Sequence, residues 1–211
     1  IPDIPGVIEV PEELKNKTEY IGPLLHYDSD EIGTKEELRQ KYNIGIDEKI
    51  LVVTIGGSKF GKILIKNICD ISKDINADKI IVFTGLEVDL SSFENKDSKI
   101  ILNEFTNNLV EWMKLSDLTI TLAGHTTSME LLSIKQPNIM VPISNHVEQE
   151  KNSRRMQKTG ITKVVEINNS IKLLEVINDS LNKLDTIKIN DELYTKFLLY
   201  NGKKNALDTI Q

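Results

Sequence analysis

Residues 119–152 read TITLAGHTTSMELLSIKQPNIMVPISNHVEQEKN, and their grammar is strand, turn, helix, strand, turn, helix. The run from Leu118 to Leu122 is apolar and β-branched, the pattern of a buried strand. Ala123-Gly124-His125 makes the turn. Thr126 onward predicts a helix with Met129, Leu131 and Leu132 on its apolar side and Glu130 in its first turn. Pro137 introduces a second strand, Asn138 to Val141, which Pro142 ends. The polar loop Ile143 to His146 then feeds a helix to Gly160 that opens on Glu148 and Gln149. Two such turns in parallel succession set two helix N-termini at one edge of a sheet. That edge is where an open α/β sheet holds ligands. A helix start also presents unpaired N–H groups and a partial positive charge, which suit phosphate.

Working outward, Ile50 to Ile55 is a continuous apolar run, as expected of a central parallel strand. It ends in Gly56-Gly57-Ser58-Lys59-Phe60-Gly61-Lys62, followed by a helix to about Ile75. The spacing from Gly56 to Lys62 fits a Walker A loop. Ile63, however, stands where that loop needs a hydroxyl for magnesium, and no later strand ends in an Asp suited to Walker B, so the P-loop is excluded. Lys79 to Phe83 and Lys99 to Leu102 predict two more strands. Glu104-Phe105-Thr106 leads into a helix, Asn107 to Leu115, whose Trp112 and Met113 read as packing. Lys163 to Ile167 predicts a further strand. Ile171 to Leu184 is amphipathic, with Ile171, Leu174, Ile177 and Leu181 on one face. Helices at Asp191 to Tyr200 and Lys203 to Ile210 complete the chain. The alternation predicts an α/β fold, a Rossmann-like parallel sheet flanked by helices on both faces.

The chain has 211 residues, 39% of them hydrophobic, enough for one good core. The net charge is −6, and the basic pairs Arg154-Arg155 and Lys203-Lys204 do not make a basic face, which argues against nucleic acid. The single cysteine, Cys69, excludes an intrachain disulfide; it reads as a small core residue in a reducing, cytoplasmic setting. No apolar run reaches transmembrane length. Residues 1–19 carry Pro2, Pro5 and Pro11 and predict an extended interdomain linker. Residues 20–211 predict one domain with C-terminal helices, and the start at Ile1 reads as a piece of a longer chain.

The phrase Gly124-His125-Thr126-Thr127-Ser128-Met129-Glu130, followed by Glu148-Gln149 and Asn152, resembles the donor-binding half of glycosyltransferases with the two-domain GT-B fold. The likeness is to the peptidoglycan N-acetylglucosaminyl transferase (MurG) type, and it extends more weakly from about Tyr20 to the C-terminus. This resemblance implies one half of a GT-B architecture that binds a UDP-sugar, UDP-N-acetylglucosamine first among them. It implies that Gly57 and Ser58 reach the donor phosphates or sugar, and that Phe105 and Thr106 line the base pocket. Gly124, His125, Thr126 and Thr127 would surround the phosphates. Glu130 would hold the ribose diol, and Glu148 and Gln149 the sugar hydroxyls. No metal and no other cofactor is implied for donor binding. A missing N-terminal acceptor domain, or a partner subunit, would supply the acceptor pocket and the base. A lipid-linked acceptor at a membrane surface fits the same resemblance. No catalytic residue is identified in this chain. Leu122 stands where the related plant secondary-product transferases keep a His, and Leu25 and His26 lie where the MurG type has an Arg.

Several of these residues also have plainer readings. Thr127 and Glu130 match a capping box, Phe105 a core aromatic, and Gly56 to Ser58 a capped turn. His146 is a candidate neighbour of the sugar. Asp28-Ser29-Asp30 reads as a solvated turn and not as a metal site. Phe197, Leu198 and Tyr200 would lie exposed if a second half is missing. Two other functions stand beside donor binding in a transferase: a UDP-sugar epimerase of the same fold, and a non-catalytic donor-binding subunit acting with a partner chain.

Overall fold

The computed structural model of the chain describes residues 10–27, 31–57, 59–93, 97–198 and 202–210. Its six strands are β1 (Ile50–Thr54), β2 (Lys79–Phe83), β3 (Ile100–Asn103), β4 (Leu118–Thr121), β5 (Asn138–Met140) and β6 (Thr162–Val164). They form one sheet in the order β3-β2-β1-β4-β5-β6, and every neighbouring pair is parallel. The helices are α1 (Lys35–Lys41), α2 (Lys62–Ile71), α3 (Leu109–Leu115), α4 (His125–Ser133), α5 (Val147–Gln157), α6 (Ser170–Asn182), α7 (Asp191–Leu198) and α8 (Gly202–Ile210). This is the Rossmann-like α/β architecture that the sequence predicts.

All of β1 is buried because successive side chains point to opposite faces and both faces are covered. Leu51 and Val53 join Ile80, Val82, Ile120 and Ile139 beneath α2 and α6. Ile50 and Val52 join Ile81, Phe83 and Met140 beneath α3, α4 and α5 on the other side. Met113 is fully buried, and the Trp112 ring lies between Tyr42 and Phe83 at centroid distances of 4.5 and 5.8 Å, so both serve packing.

The entering ends of β1 and β4 are tied by ions. Asp117, just before β4, accepts from the Ile50 amide at 2.7 Å and from the Arg39 guanidinium at 2.9 Å. Arg39 is 3% exposed and also donates to the carbonyls of Leu115, Gly45 and Ile46. Lys35 reaches the other Asp117 oxygen at 2.6 Å from a half-exposed position.

Three expectations need correction. Ile171 is 82% exposed, and the packed face of α6 runs through Leu173, Ile177, Ser180 and Leu181 instead. The true period starts two residues later, because Asn169 caps the helix and turns Ile171 outward. Phe197 is 5% exposed and belongs to the core, while Leu198 is exposed and Tyr200 lies outside the described residues. Within the segment expected to be extended, Glu12–Lys17 forms a 3-10 helix with no buried residue. The chain that follows it packs on α8, where a Cβ on Gly202 would stand 2.2 Å from the Pro23 carbonyl oxygen. Among the described residues no helix is long and apolar enough to cross a membrane.

Replacing Arg39 with Met should destabilise the fold by about 3 kcal/mol, since it strips a buried partner from Asp117 and leaves three carbonyls unserved. Lys35→Ala should cost less than about 1 kcal/mol, because that pair is partly solvated. Urea unfolding of both variants checks the contrast, and equal losses would show that burial does not set the ranking.

Candidate functional site

β1 and β4 lie side by side, from Leu51 opposite Leu118 to Thr54 opposite Thr121. After β1 the chain turns towards β2, and after β4 it turns towards β5, on the other side. The two exits therefore diverge and leave a crevice at the C-terminal edge, between the Gly56-Gly57 turn and the Ala123-Gly124 turn. The glycines there divide into two kinds. A Cβ added to Gly56, Gly57 or Gly124 would meet nothing within 4 Å. One on Gly85 would stand 2.4 Å from the Gly56 carbonyl oxygen, and one on Gly61 would strike the Ile55 side chain at 2.3 Å. Gly61 and Gly85 are thus packing glycines, and the other three border open space. Ser58 lies outside the described residues, as do Asp28, Ser29 and Asp30.

Helix α4 begins at His125 with Gly124 as its N-cap, and no side chain caps it. The first intrahelical bond is Ser128 N–H to Gly124 O, at 3.0 Å. The amides of His125, Thr126 and Thr127 have no intrahelical acceptor and face the crevice edge. Among the described residues neither threonine hydroxyl has a hydrogen-bond partner. The capping box fails on register: it needs its Glu at the third helical position, and Glu130 is the sixth. Glu130 therefore sits in the second turn, not the first.

The turn is held in an unfavourable shape. Ala123 has φ +65°, a left-handed conformation that a residue with a Cβ adopts at a cost of roughly 1 kcal/mol or more. Its carbonyl accepts from Asn152 Nδ2 at 3.1 Å, so α5 pins the turn. Sequence reading noticed Asn152 but not this bond, because an alanine gives no sign of a positive φ.

Residues 128–134 are buried on every side, and Glu130 is 6% exposed. Burial pushes its carboxyl up to about 7. Among the described residues nothing donates a hydrogen bond to that carboxylate; the nearest base is His26, with Nδ1 3.9 Å from Oε1. Glu148 and Gln149 occupy different settings. Glu148 is exposed at the start of α5. Gln149 is buried, and its Oε1 accepts from the Ile143 amide at 2.9 Å, shaping the loop before α5. His146 is the N-cap of α5: its Nδ1 accepts from the Gln149 amide at 3.4 Å.

A cleft of about 390 Å³ opens at the ends of β1, β2 and β3, bordered by Gly57, Phe105 and Thr106. Phe105 is 61% exposed, so it is not a core aromatic. Thr54, Gly85 and Leu86 line the same cleft and were not anticipated. Thr84-Gly85 directly follows a strand, and every strand of a parallel sheet exits at the same edge; that rule would have found them. The described residues contain no cluster of three or more His, Cys, Asp or Glu able to hold a metal ion.

Replacing Asn152 with Ala should destabilise the protein by about 1–2 kcal/mol, because the Ala123 carbonyl loses its buried donor while the strain remains. Thermal unfolding checks this. An unchanged midpoint would mean that the turn keeps its shape without α5.

The chain matches the family model described as the glycosyltransferase family 28 C-terminal domain over residues 50–204. It is 30% identical over 214 residues to a Clostridium perfringens UDP-N-acetylglucosamine--N-acetylmuramyl-(pentapeptide) pyrophosphoryl-undecaprenol N-acetylglucosamine transferase, covering 97% of this chain and 58% of that protein. It is 31% identical over 157 residues to an uncharacterized glycosyltransferase of Methanopyrus kandleri, covering 72% of this chain and 43% of that one. The chain thus spans about half the length of these relatives. Among solved structures it is similar to Acinetobacter baumannii MurG, with a TM-score of 0.58 at 19% identity, over 87% of this chain and 54% of that one. The glycotransferase of kitacinnamycin gives a TM-score of 0.64 at 16% identity, over 90% and 48%. These two likenesses concern the fold.

Proposed function

Because this chain belongs to glycosyltransferase family 28, as its C-terminal domain, we propose that it binds a UDP-sugar, UDP-N-acetylglucosamine first among them, as the donor half of a sugar transferase. The observation that carries this reading is one helix with two features: an open N-terminus at His125 and a buried carboxylate at Glu130. Five residues along a helix advance about 7 Å, a spacing that a ribose 5′-diphosphate spans. The phosphates would lie on the amides of His125 to Thr127, with Gly57 opposite. The ribose hydroxyls would donate to Glu130. The base would enter the cleft beside Phe105 and Thr106, and the sugar would reach towards Glu148 and the loop that Gln149 shapes.

The chemistry of this reading is displacement at the anomeric carbon. The leaving diphosphate gains charge as the glycosidic bond breaks. Amides already fixed around Gly124 and Thr127, with the positive end of α4, would stabilise that charge without reorganising. The acceptor pocket, the base and the exclusion of water would come from a second half, in which a lipid-linked acceptor is the class named for the Clostridium perfringens relative. The relatives above are named as transferases, and no observation favours an epimerase.

Calorimetry with UDP in a chelator should show binding without added metal; a strict requirement for magnesium would overturn this arrangement. The chain alone should bind nucleotide but transfer no sugar to lipid-linked acceptors until the second half is supplied in trans. Robust transfer by the chain alone would place the acceptor site within these residues.

Glu130→Gln separates binding from stability. It removes a charged acceptor of two hydroxyls, so affinity should fall about ten- to hundredfold. Its effect on the fold runs the other way. The folded carboxyl is raised from 4.5 to about 7, so native stability is full below 4.5 and is lost as pH rises through 7. That loss amounts to about 3 kcal/mol at 1.36 kcal/mol per unit. The ligand-free variant should therefore be the more stable protein at about pH 8. Affinity of the wild type for UDP-N-acetylglucosamine, whose diphosphate stays fully ionised, should fall as pH drops below neutral, and that of Glu130→Gln should stay flat. Wild-type affinity in the variant would return Glu130 to a packing role.

A further inference from the structure

The mouth of the Glu130 recess is formed by a side chain more than a hundred residues away in sequence. His26 lies in the segment leading into α1, and its Nδ1 stands 3.9 Å from Glu130 Oε1. The imidazole is 68% exposed and the carboxylate 8%. That separation is too long for a hydrogen bond, but a small rotation of an exposed ring closes it. The ring is not free to wander. It packs edge-on against Tyr27 at a centroid distance of 5.0 Å, and the Tyr27 hydroxyl is 3.0 Å from Ser133 Oγ on α4. Ser133 Oγ in turn donates to the Glu130 carbonyl at 2.7 Å. His26 is thereby carried by a neighbour fastened to the helix that bears Glu130.

The other elements around α4 present different chemistry. From α3 the buried side chains are Val110, Met113 and Leu115, and half-buried Lys114 donates to the Ile134 carbonyl at the far end of α4 at 3.2 Å; from α5 they are Gln149, Asn152, Ser153 and Met156, uncharged. From α7 come Phe197 and the Tyr194 phenol, which donates to the Ser133 carbonyl at 3.2 Å. Tyr27 adds a second phenol, held neutral by burial and by the Glu130 charge beside it. An imidazole is the side chain that can gain a positive charge near neutral pH.

We propose that His26 is a positioning residue of the donor site: protonated, it holds Glu130 in the charged form that accepts the nucleotide's ribose hydroxyls. The proposal rests on the reading of Glu130 given above. The proton balance is partly internal. As the hydroxyls dock, Glu130 gives up its proton and His26 takes up part of it, so wild-type affinity falls less steeply below neutrality than it would without the imidazole.

Calorimetry with UDP-N-acetylglucosamine at about pH 6 and about pH 8 tests this on wild type, His26→Gln, His26→Lys and Glu130→Gln. His26→Gln should weaken binding about fivefold at the lower pH and less than twofold at the higher, the size expected of a partly solvated pair. His26→Lys, with a permanent charge, should restore the affinity at the lower pH. An equal loss at both values would mean that His26 only packs or touches the phosphates, and no loss would mean that it does nothing; either overturns the proposal. Wild-type affinity in Glu130→Gln would instead remove the ribose reading itself, so the two failures are distinguishable.

Discussion

The structure depends on one pairing: β1 beside β4, parallel, with the chain leaving each strand in opposite directions. At the entering end the pair is clamped. Asp117 receives the Ile50 amide, the Arg39 guanidinium and the Lys35 ammonium, and Arg39 spans to three carbonyls around it. At the exit end there is no such clamp. The two turns part, and three glycines with open space before them line the gap. A parallel sheet must bury both faces under helices, so it offers ligands only its ends. Of the two ends, this one is splayed by topology and also carries the unpaired amides of a helix start. The crevice therefore follows from the order of the strands, and the residues at its rim decide what it can hold.

Much of this was legible because burial on both faces leaves a mark in sequence. Ile50 to Ile55 and Leu118 to Leu122 are apolar without interruption, and such runs bounded by Gly and Pro have few other meanings. The parallel order followed from strand and helix alternation. The errors came where periodicity is a weak guide. Ile171 looks like part of an apolar stripe, but Asn169 sets the start of α6 and the stripe shifts to Leu173. Phe197 reads as surplus surface on a terminal helix, yet it fills the core beside Met156. Neither depends on the strand order, so the fold survives both mistakes.

The site was legible as a list of residues but not as an arrangement. The phrase from Gly124 to Glu130 is visible in sequence, and so is its double meaning. Register decides between the two meanings, and register is set by where the helix begins. Thr127 would have to be the N-cap for Glu130 to cap its own helix; α4 starts three residues earlier than that, at His125, which leaves Glu130 buried in the second turn. The positive φ of Ala123 leaves no trace in composition. The approach of His26 to Glu130 is a long-range contact that no local pattern encodes. Gln149 shows the opposite case: its likeness suggests contact with sugar, while its carbonyl oxygen is occupied by the Ile143 amide.

The features around this turn share a physical character. Ala123 is strained, three amides at the start of α4 lack intrahelical acceptors, and Glu130 is buried without a donor. Each disfavours the ligand-free fold by an amount comparable to one good hydrogen bond. A core built only for stability would relieve them: Gly at 123, a Ser or Asp cap at 124, Gln or Leu at 130. They persist together on one turn and its helix because the surrounding structure holds them there. Asn152 fixes the turn from α5, and the Tyr27 and Ser133 hydroxyls brace α4 from outside. Under the donor-site reading, a nucleoside diphosphate meets two of these wants at once, anion to amides and hydroxyls to carboxylate. The strain at Ala123 is then what aims the first group at the second. The instability is local, its supports are on separate elements, and the ligand that fits is the one whose two ends match the two unmet groups.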